Sequence, residues 1–484
     1  MKNLPMPSSL CLFLLLVPLL AAQEPTVELP RKYDLREVGG VTPIKRQQGG
    51  TCWAHGTMAA IESNLLVSGT WKKIGNGQVP TLSEYHLDWW NGFNQHKNND
   101  HADAKKDRTG LSIHQGGDYR VSAAYISRGD GVIATPFTDK RTVLAPALGL
   151  ALDPSWYRVA PGYIDPRYQR YYVRDIEWFT IGDNLENIDA IKRRVIQQGA
   201  MGTAMAVNKG LMAKDAVHYQ PLKHPAKPNH AIAIVGWDDD KVSGDADKKL
   251  PKPGCWLIKN SWGVERGDKG YYWISYYDKV CCRDPEMGAV SFRNVEPMKF
   301  SHVYYHDYHG WRDTMKNVGK AFNLFTASAD HRLSSLSFYT AADEVRYTAK
   351  IYSKFEKGEL HGLRVTNAGA IQRTGFHTVD LDAAVDVKKG ETFIICLELS
   401  HGGHAFDRTS EIEVLLQPKG KTKQPSGPTG PNGGPIVVSK ANPGESFYHD
   451  GSAWRDLYEH RFENPKWATF DRTANFCMKA LVAK

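Results

Sequence analysis

The chain has 484 residues and a formal net charge of +8, with Lys and Arg spread thinly and gathered into no long basic block. That balance describes a solvated surface and argues against nucleic-acid binding, and no zinc-finger or nucleotide-loop pattern stands in its place. Beyond the first 22 residues no stretch reaches the roughly 18 consecutive apolar residues of a membrane-crossing helix, so no membrane span is predicted.

In chain order, Met1-Lys2 precedes a short apolar run over 10–20 and then Ala21-Ala22. This reads as a secretory signal cleaved after Ala22, too short to serve as an anchor, and predicts a secreted, periplasmic or cell-surface protein. A helix is predicted over about 51–68, opening at Cys52. A second opens at Leu82-Ser83-Glu84-Tyr85-His86-Leu87 with Ser83 as its cap. Residues 91–108 are polar and read as an exposed insertion, and 136–172, rich in Pro, Arg and Tyr, as another. Gly116-Gly117-Asp118-Tyr119 leads into a helix over 120–127, and a further helix over 187–198 ends at Gly199. Strands begin near Thr203 and include those carrying His230 and Asn260.

After Pro297 helical periodicity fades. Short alternating runs at 336–339, 346–352, 392–399 and 411–416, separated by turn residues, predict an antiparallel β-sandwich. The 187 residues of 298–484 suffice for a second domain with its own core. Within it, 419–434 reads as a Pro/Gly/Lys-rich loop. A weak echo relates His306-Asp307, Trp311-Arg312-Asp313 to His449-Asp450, Trp454-Arg455-Asp456. Either these are two similar loops, or their aromatics form a paired sugar-binding site.

Seven cysteines are present, and Cys11 leaves with the signal. Export permits disulfides. Cys396 with Cys477 is one pairing in the C-terminal part, but connectivity does not follow from sequence, and Cys255, Cys281 and Cys282 leave an odd set. No Cys or His spacing matches a metal site, so no metal and no cofactor is predicted.

Cys52 carries the chemistry. A thiol at a helix N-terminus sits where peptide dipoles favour a thiolate, and a thiolate with a general acid/base nearby is an acyl-transfer nucleophile. The motifs are Gln47-Gln48-Gly49-Gly50-Thr51-Cys52-Trp53-Ala54, Gly116-Gly117, His230-Ala231 running to Gly236-Trp237, and Lys259-Asn260-Ser261-Trp262-Gly263 followed by Gly267, Gly270 and Tyr271. Four such motifs in this order resemble the papain family of cysteine peptidases. The resemblance implies an α+β fold with a two-lobe catalytic domain, a helical lobe and a β-barrel-like lobe, over 23–297. It implies Cys52, His230 and Asn260 as a catalytic triad, Gln47 as oxyanion donor, Trp262 as a shield over the His–Asn contact, and Gly116 and Gly117 lining the substrate cleft. Through Gly310-Trp311, Phe338-Tyr339-Thr340, His377-Thr378-Val379-Asp380-Leu381 and Ala441-Asn442-Pro443-Gly444-Glu445-Ser446 before Trp454, residues 298–484 resemble the lectin-like β-sandwich that follows the catalytic domain in some exported members.

This sequence departs from the family pattern. The cysteine usual three residues before the nucleophile is Gly49, and the glutamine spacing is one residue short, so Gln48 competes with Gln47. His55 replaces a usual Phe. His230 lies 178 residues past Cys52, against about 130–150 in the family. The 29 residues of 23–51 are short for the inhibitory pro-region such enzymes commonly carry, so any latency is expected from elsewhere, such as the C-terminal half. The resulting expectation is a secreted cysteine endopeptidase acting on protein or peptide substrates, with a glycan or cell-surface ligand for the second domain. Two other classes stay open, an inactive papain-fold binding protein and a cell-wall amidase or acyltransferase.

Overall fold

The computed structural model describes residues 28–74, 79–134, 156–415, 427–462 and 471–484. The expected signal over 1–22, and parts of the 136–172 and 419–434 segments, lie outside the described residues. No described helix is long and apolar enough to cross a membrane.

The helix Cys52–Val67 is buried almost all round from Cys52 to Leu65. It packs against the strand His230–Asp238 on one side and the helices Glu84–Trp90 and Tyr119–Ser127 on another. Both of those helices start at a side-chain cap. Ser83 accepts the His86 N–H at 3.1 Å, and Asp118 accepts the Val121 N–H at 2.7 Å. Ile188–Gln198 ends at Gly199, whose φ of 91° suits glycine.

The strand His230–Asp238 lies between Met201–Met205 and Cys255–Lys259, with Tyr271–Ser275 beyond, all antiparallel. In the other direction the same sheet runs from Met201–Met205 through Ala289–Pro297 to Gln169–Phe179. It does not stop there. Gln169–Phe179 pairs with Gly375–Val387, which leads to His331–Thr340, Met478–Ala483 and Phe300–Tyr304. A second, six-stranded sheet is built from Glu359–Ile371, Val345–Glu356, Thr392–Leu399, Lys320–Thr326, Ser446–His449 and Trp454–Asp456. Leu333, Phe338, Ile351, Phe393, Ile395 and Val482 fill the core of this all-β region. A papain-like α+β region is therefore followed by an all-β, lectin-like region, and backbone hydrogen bonds cross between them.

Three expectations are corrected. Among the described residues of the run 411–416, strand is confined to Glu411, in Ser410–Glu411 paired with Ile436–Val437, and 412–415 then leave the β region for the first half of the chain. Residues 91–108 are not simply exposed, since Asn91, Phe93 and Asn94 are buried and Phe93 packs edge-on against His309. Cys396 and Cys477 are free, as are the other described cysteines. Cys396 packs with Phe322 and Trp454, whereas Cys477 belongs to a different core that includes Tyr339, so their sulfurs face separate cores. The two echoed loops also diverge. Asp307 is buried in an ion pair with Lys479, while Asp450 and Arg455 pair on the surface.

The joint between the regions depends on Gly375, where φ is 149° and an added Cβ would overlap the Ile176 carbonyl oxygen. Gly375→Ala should destabilise the protein by at least about 1–3 kcal/mol. Urea unfolding monitored by circular dichroism checks this, and an unchanged midpoint would refute it.

Candidate active site

Cys52 is the first residue of its helix, and the Ala231 N–H points at its sulfur at 3.4 Å. Ala231 follows His230, so the strand start carries the imidazole to the helix start. His230 Nε2 meets Asn260 Oδ1 at 2.8 Å. Because that oxygen accepts, Nε2 holds the proton and Nδ1 is the basic nitrogen. Nδ1 is buried and has no hydrogen-bond partner in the structure. Trp262 stacks on the His230 ring at 4.4 Å between centroids and 22° between planes. Asn260 Oδ1 also takes the Ser261 N–H at 2.8 Å, which fixes its orientation.

Gln47 is drawn to the same turn. Its N–H donates to the Ser261 carbonyl at 2.7 Å, and its Oε1 accepts from Ser261 Oγ at 2.7 Å. Its amide nitrogen donates one proton to the Gly49 carbonyl at 2.8 Å and keeps a second. Gln48 instead accepts from Thr51 Oγ1 through its carbonyl at 3.0 Å. Gly49 has φ 62°, and a Cβ there would lie 2.8 Å from the His114 carbonyl oxygen. That crowding explains why the position usual for a family cysteine carries no side chain. Gly117 is bare for a different reason than expected, because a Cβ would strike the Trp53 indole at 2.6 Å.

Sequence reasoning did not single out the charges beneath the site. Glu62, with no exposed surface, lies mid-helix. It accepts from Lys45 Nζ and Thr42 Oγ1 at 2.6 Å each and from the Leu82 N–H at 2.8 Å. Lys45 also bonds Glu84 at 2.6 Å, and Lys259 bonds Thr42 Oγ1 at 2.7 Å. Burial alone would lower the Lys45 pKa, but Glu62 and Glu84 outweigh it and raise it. Lys259 is less well matched, and burial lowers it to about 8. The polar run Glu62-Ser63-Asn64 within this buried helix was the available signal. His55 joins this layer. Its Nδ1 meets the Thr51 carbonyl at 2.9 Å, and burial lowers its pKa, so the ring is neutral. A cavity of about 20 Å³, enough for one water, lies among His55, Glu62, Glu84, Lys259 and Asn260.

Burial disfavours the charged forms of both Cys52 and His230. Cys52 and His230 have no exposed surface. Burial pushes the thiol from 9.0 up to about 12 and the imidazole from 6.5 down to about 4. The thiol shift corresponds to about 4 kcal/mol against the thiolate. A helix terminus typically returns only about 0.3–1 kcal/mol, so burial wins. In this covered geometry burial therefore weighs against the expected thiolate.

Comparison with known proteins agrees with both regions. Residues 29–87 and 165–289 match the papain family cysteine protease, and residues 303–423 match the lectin like domain. The chain is 28% identical over 262 residues to Pro-cathepsin H of Bos taurus, which is 52% of this chain and 62% of that protein. It is 26% identical over 280 residues to Probable cysteine protease RD19D of Arabidopsis thaliana, 56% of this chain and 64% of that protein. The chain thus spans less than two thirds of these relatives' length. A crystal structure of the cysteine protease and lectin-like domains of Cwp84, a surface layer associated protein of Clostridium difficile, has the same fold. It matches with a TM-score of 0.65 and 22% identity, over 95% of this chain and 90% of that one.

Two measurements check this geometry. Removing the Glu62 carboxylate strands Lys45, so Glu62→Ala should cost about 3–5 kcal/mol in denaturant unfolding. A loss under 1 kcal/mol would contradict the network. With the thiol near 12, the rate of Cys52 alkylation by iodoacetamide should climb about tenfold per pH unit from 6 to 9. A rate already flat above pH 6 would mean a thiolate at rest.

Proposed function

Starting from a chain that joins a papain-family cysteine protease region to a lectin-like domain, we propose a secreted endopeptidase that hydrolyses peptide bonds through Cys52, His230 and Asn260. The domain boundary falls at 297/298. The single observation that carries the reading is the His230–Asn260 contact of 2.8 Å, capped by Trp262 and placed by Ala231 beside the Cys52 sulfur.

His230 Nδ1 takes the Cys52 proton as sulfur attacks the substrate carbonyl. The developing oxyanion is met by the Cys52 N–H and the second amide proton of Gln47. The imidazolium, held at Nε2 by Asn260, returns its proton to the leaving amine, and a thioester remains. Water, deprotonated by the same Nδ1, hydrolyses the thioester and regenerates the thiol. Trp262 keeps solvent from the His–Asn bond. Gly116 and Gly117 offer backbone to an extended substrate. An open groove of about 440 Å³ lined by Arg46, Gln47, Gln48, Trp262 and Arg266 extends beside this centre. The lectin-like domain holds a glycan or protein ligand at a cell surface. The signal-like segment over 1–22 supports export, and the surface association of Cwp84 supports the location.

Peptide-library hydrolysis tests the assignment. Cys52→Ala should abolish cleavage, and Gln47→Ala should lower kcat by about 10²–10³. Cleavage retained in Cys52→Ala would end the proposal.

A further inference from the structure

Residues 412–415, which leave the β region after Glu411, run over Gly116 and Gly117. We propose that residues 412–415 are an internal strap that occupies the substrate site and keeps the protein latent, an inference that rests on reading this cleft as the peptide site.

The strap is seated by backbone and side chains. The Leu415 N–H donates to the Gly117 carbonyl at 3.2 Å. A Cβ on Gly116 would overlap Val414 Cγ1 and lie 2.8 Å from the Leu415 carbonyl oxygen. Ile412 and Leu415 are fully buried in the core that includes Cys52 and Trp53, and Val414 packs against it. An extended segment that bonds to exposed backbone while its side chains fill apolar positions is how peptides are recognised by strand addition. The glycines assigned to the substrate are thus already in use. Cys52 and His230, near these glycines, have no exposed surface.

The strap is anchored from the β region. Ser410–Glu411 pairs with Ile436–Val437, and the Ile412 N–H donates to the Pro435 carbonyl at 3.0 Å. Arg312 donates to Ser410 Oγ and the Glu411 carbonyl at 2.8 Å each. A tethered segment competes at an effective concentration of about millimolar. Even an intrinsic affinity of about 0.1 mM would then keep the cleft filled roughly ten to one.

Glu413 gives the seat a pH dependence. Burial first, then Asp284, Glu286 and Asp118, push its carboxyl from 4.5 up to about 7, with Lys227 opposing them. The raised value means that the seated form is favoured fully below pH about 4.5. That contribution fades as pH rises to about 7, so latency should loosen across this interval.

The test uses the full chain. Leu415→Pro deletes the N–H donor, and Val414→Asp places a charge over Gly116. Iodoacetamide labelling of Cys52, located by mass mapping at pH 7.5, should accelerate about tenfold or more in each variant relative to the unaltered chain. Rates equal to the unaltered chain in folded variants would overturn the strap. Should neither variant fold, amide hydrogen exchange of the unaltered chain decides. Leu415 should exchange slowly, and exchange at the rate of an unstructured peptide would overturn the proposal. Labelling reads access to sulfur and needs no hydrolysis. A variant that labels fast yet cleaves no peptide would keep the strap and refute the peptidase reading.

Discussion

The site depends on one buried carboxylate. Glu62 sits inside the nucleophile helix and binds Lys45, Thr42 and the Leu82 backbone. Lys45 adjoins the Gln47 segment, and Thr42 is shared with Lys259, which adjoins Asn260. Three pieces of the centre, far apart in sequence, are thereby fixed to one another below the level at which a substrate would bind. Buried ion pairs contribute little net stability against apolar substitutes, but breaking one leaves a stranded charge. The arrangement therefore enforces position more than it adds free energy. In the proposed acyl transfer the sulfur, the imidazole and the Gln47 amide would tolerate little relative displacement.

Above this base, accessibility decides the chemistry. The same helix N-terminus that favours a thiolate holds a thiol when covered, because desolvation exceeds the terminal charge effect. Water and substrate entering the groove would reverse the balance. On the proposed reading, a latent thiol and a competent nucleophile are two states of one geometry that differ in what lies over Gly116 and Gly117.

Much of this was legible in the sequence because its signals are local. The Ser83 cap, the Gly199 stop and the apolar run after His230 each act over a few residues, and the elements follow them. The order of the motifs located Cys52, His230, Asn260, Gln47 and Trp262, which the fold brings together. What failed was partner choice. The alternation at 411–416 is the pattern of any extended segment with one buried face, and period two does not say which backbone it will pair with. Polar composition likewise hid the burial of Asn91 and Asn94, whose side chains bond neighbouring backbone groups. The pairing of Glu62 with Lys45 was not legible, because a buried ion pair has no spacing rule when its members come from different elements.

The strand Gln169–Phe179 is bonded on one side to Ala289–Pro297 and on the other to Gly375–Val387. Evolutionary exchange of the two halves as independent modules is therefore restricted. A peptidase half released from its companion would carry a bare strand edge rich in Tyr, Val, Ile and Trp, the kind of edge that recruits other chains into aggregates. Any new companion acquired by recombination would need to supply a strand of matching register as well as a linker of suitable length.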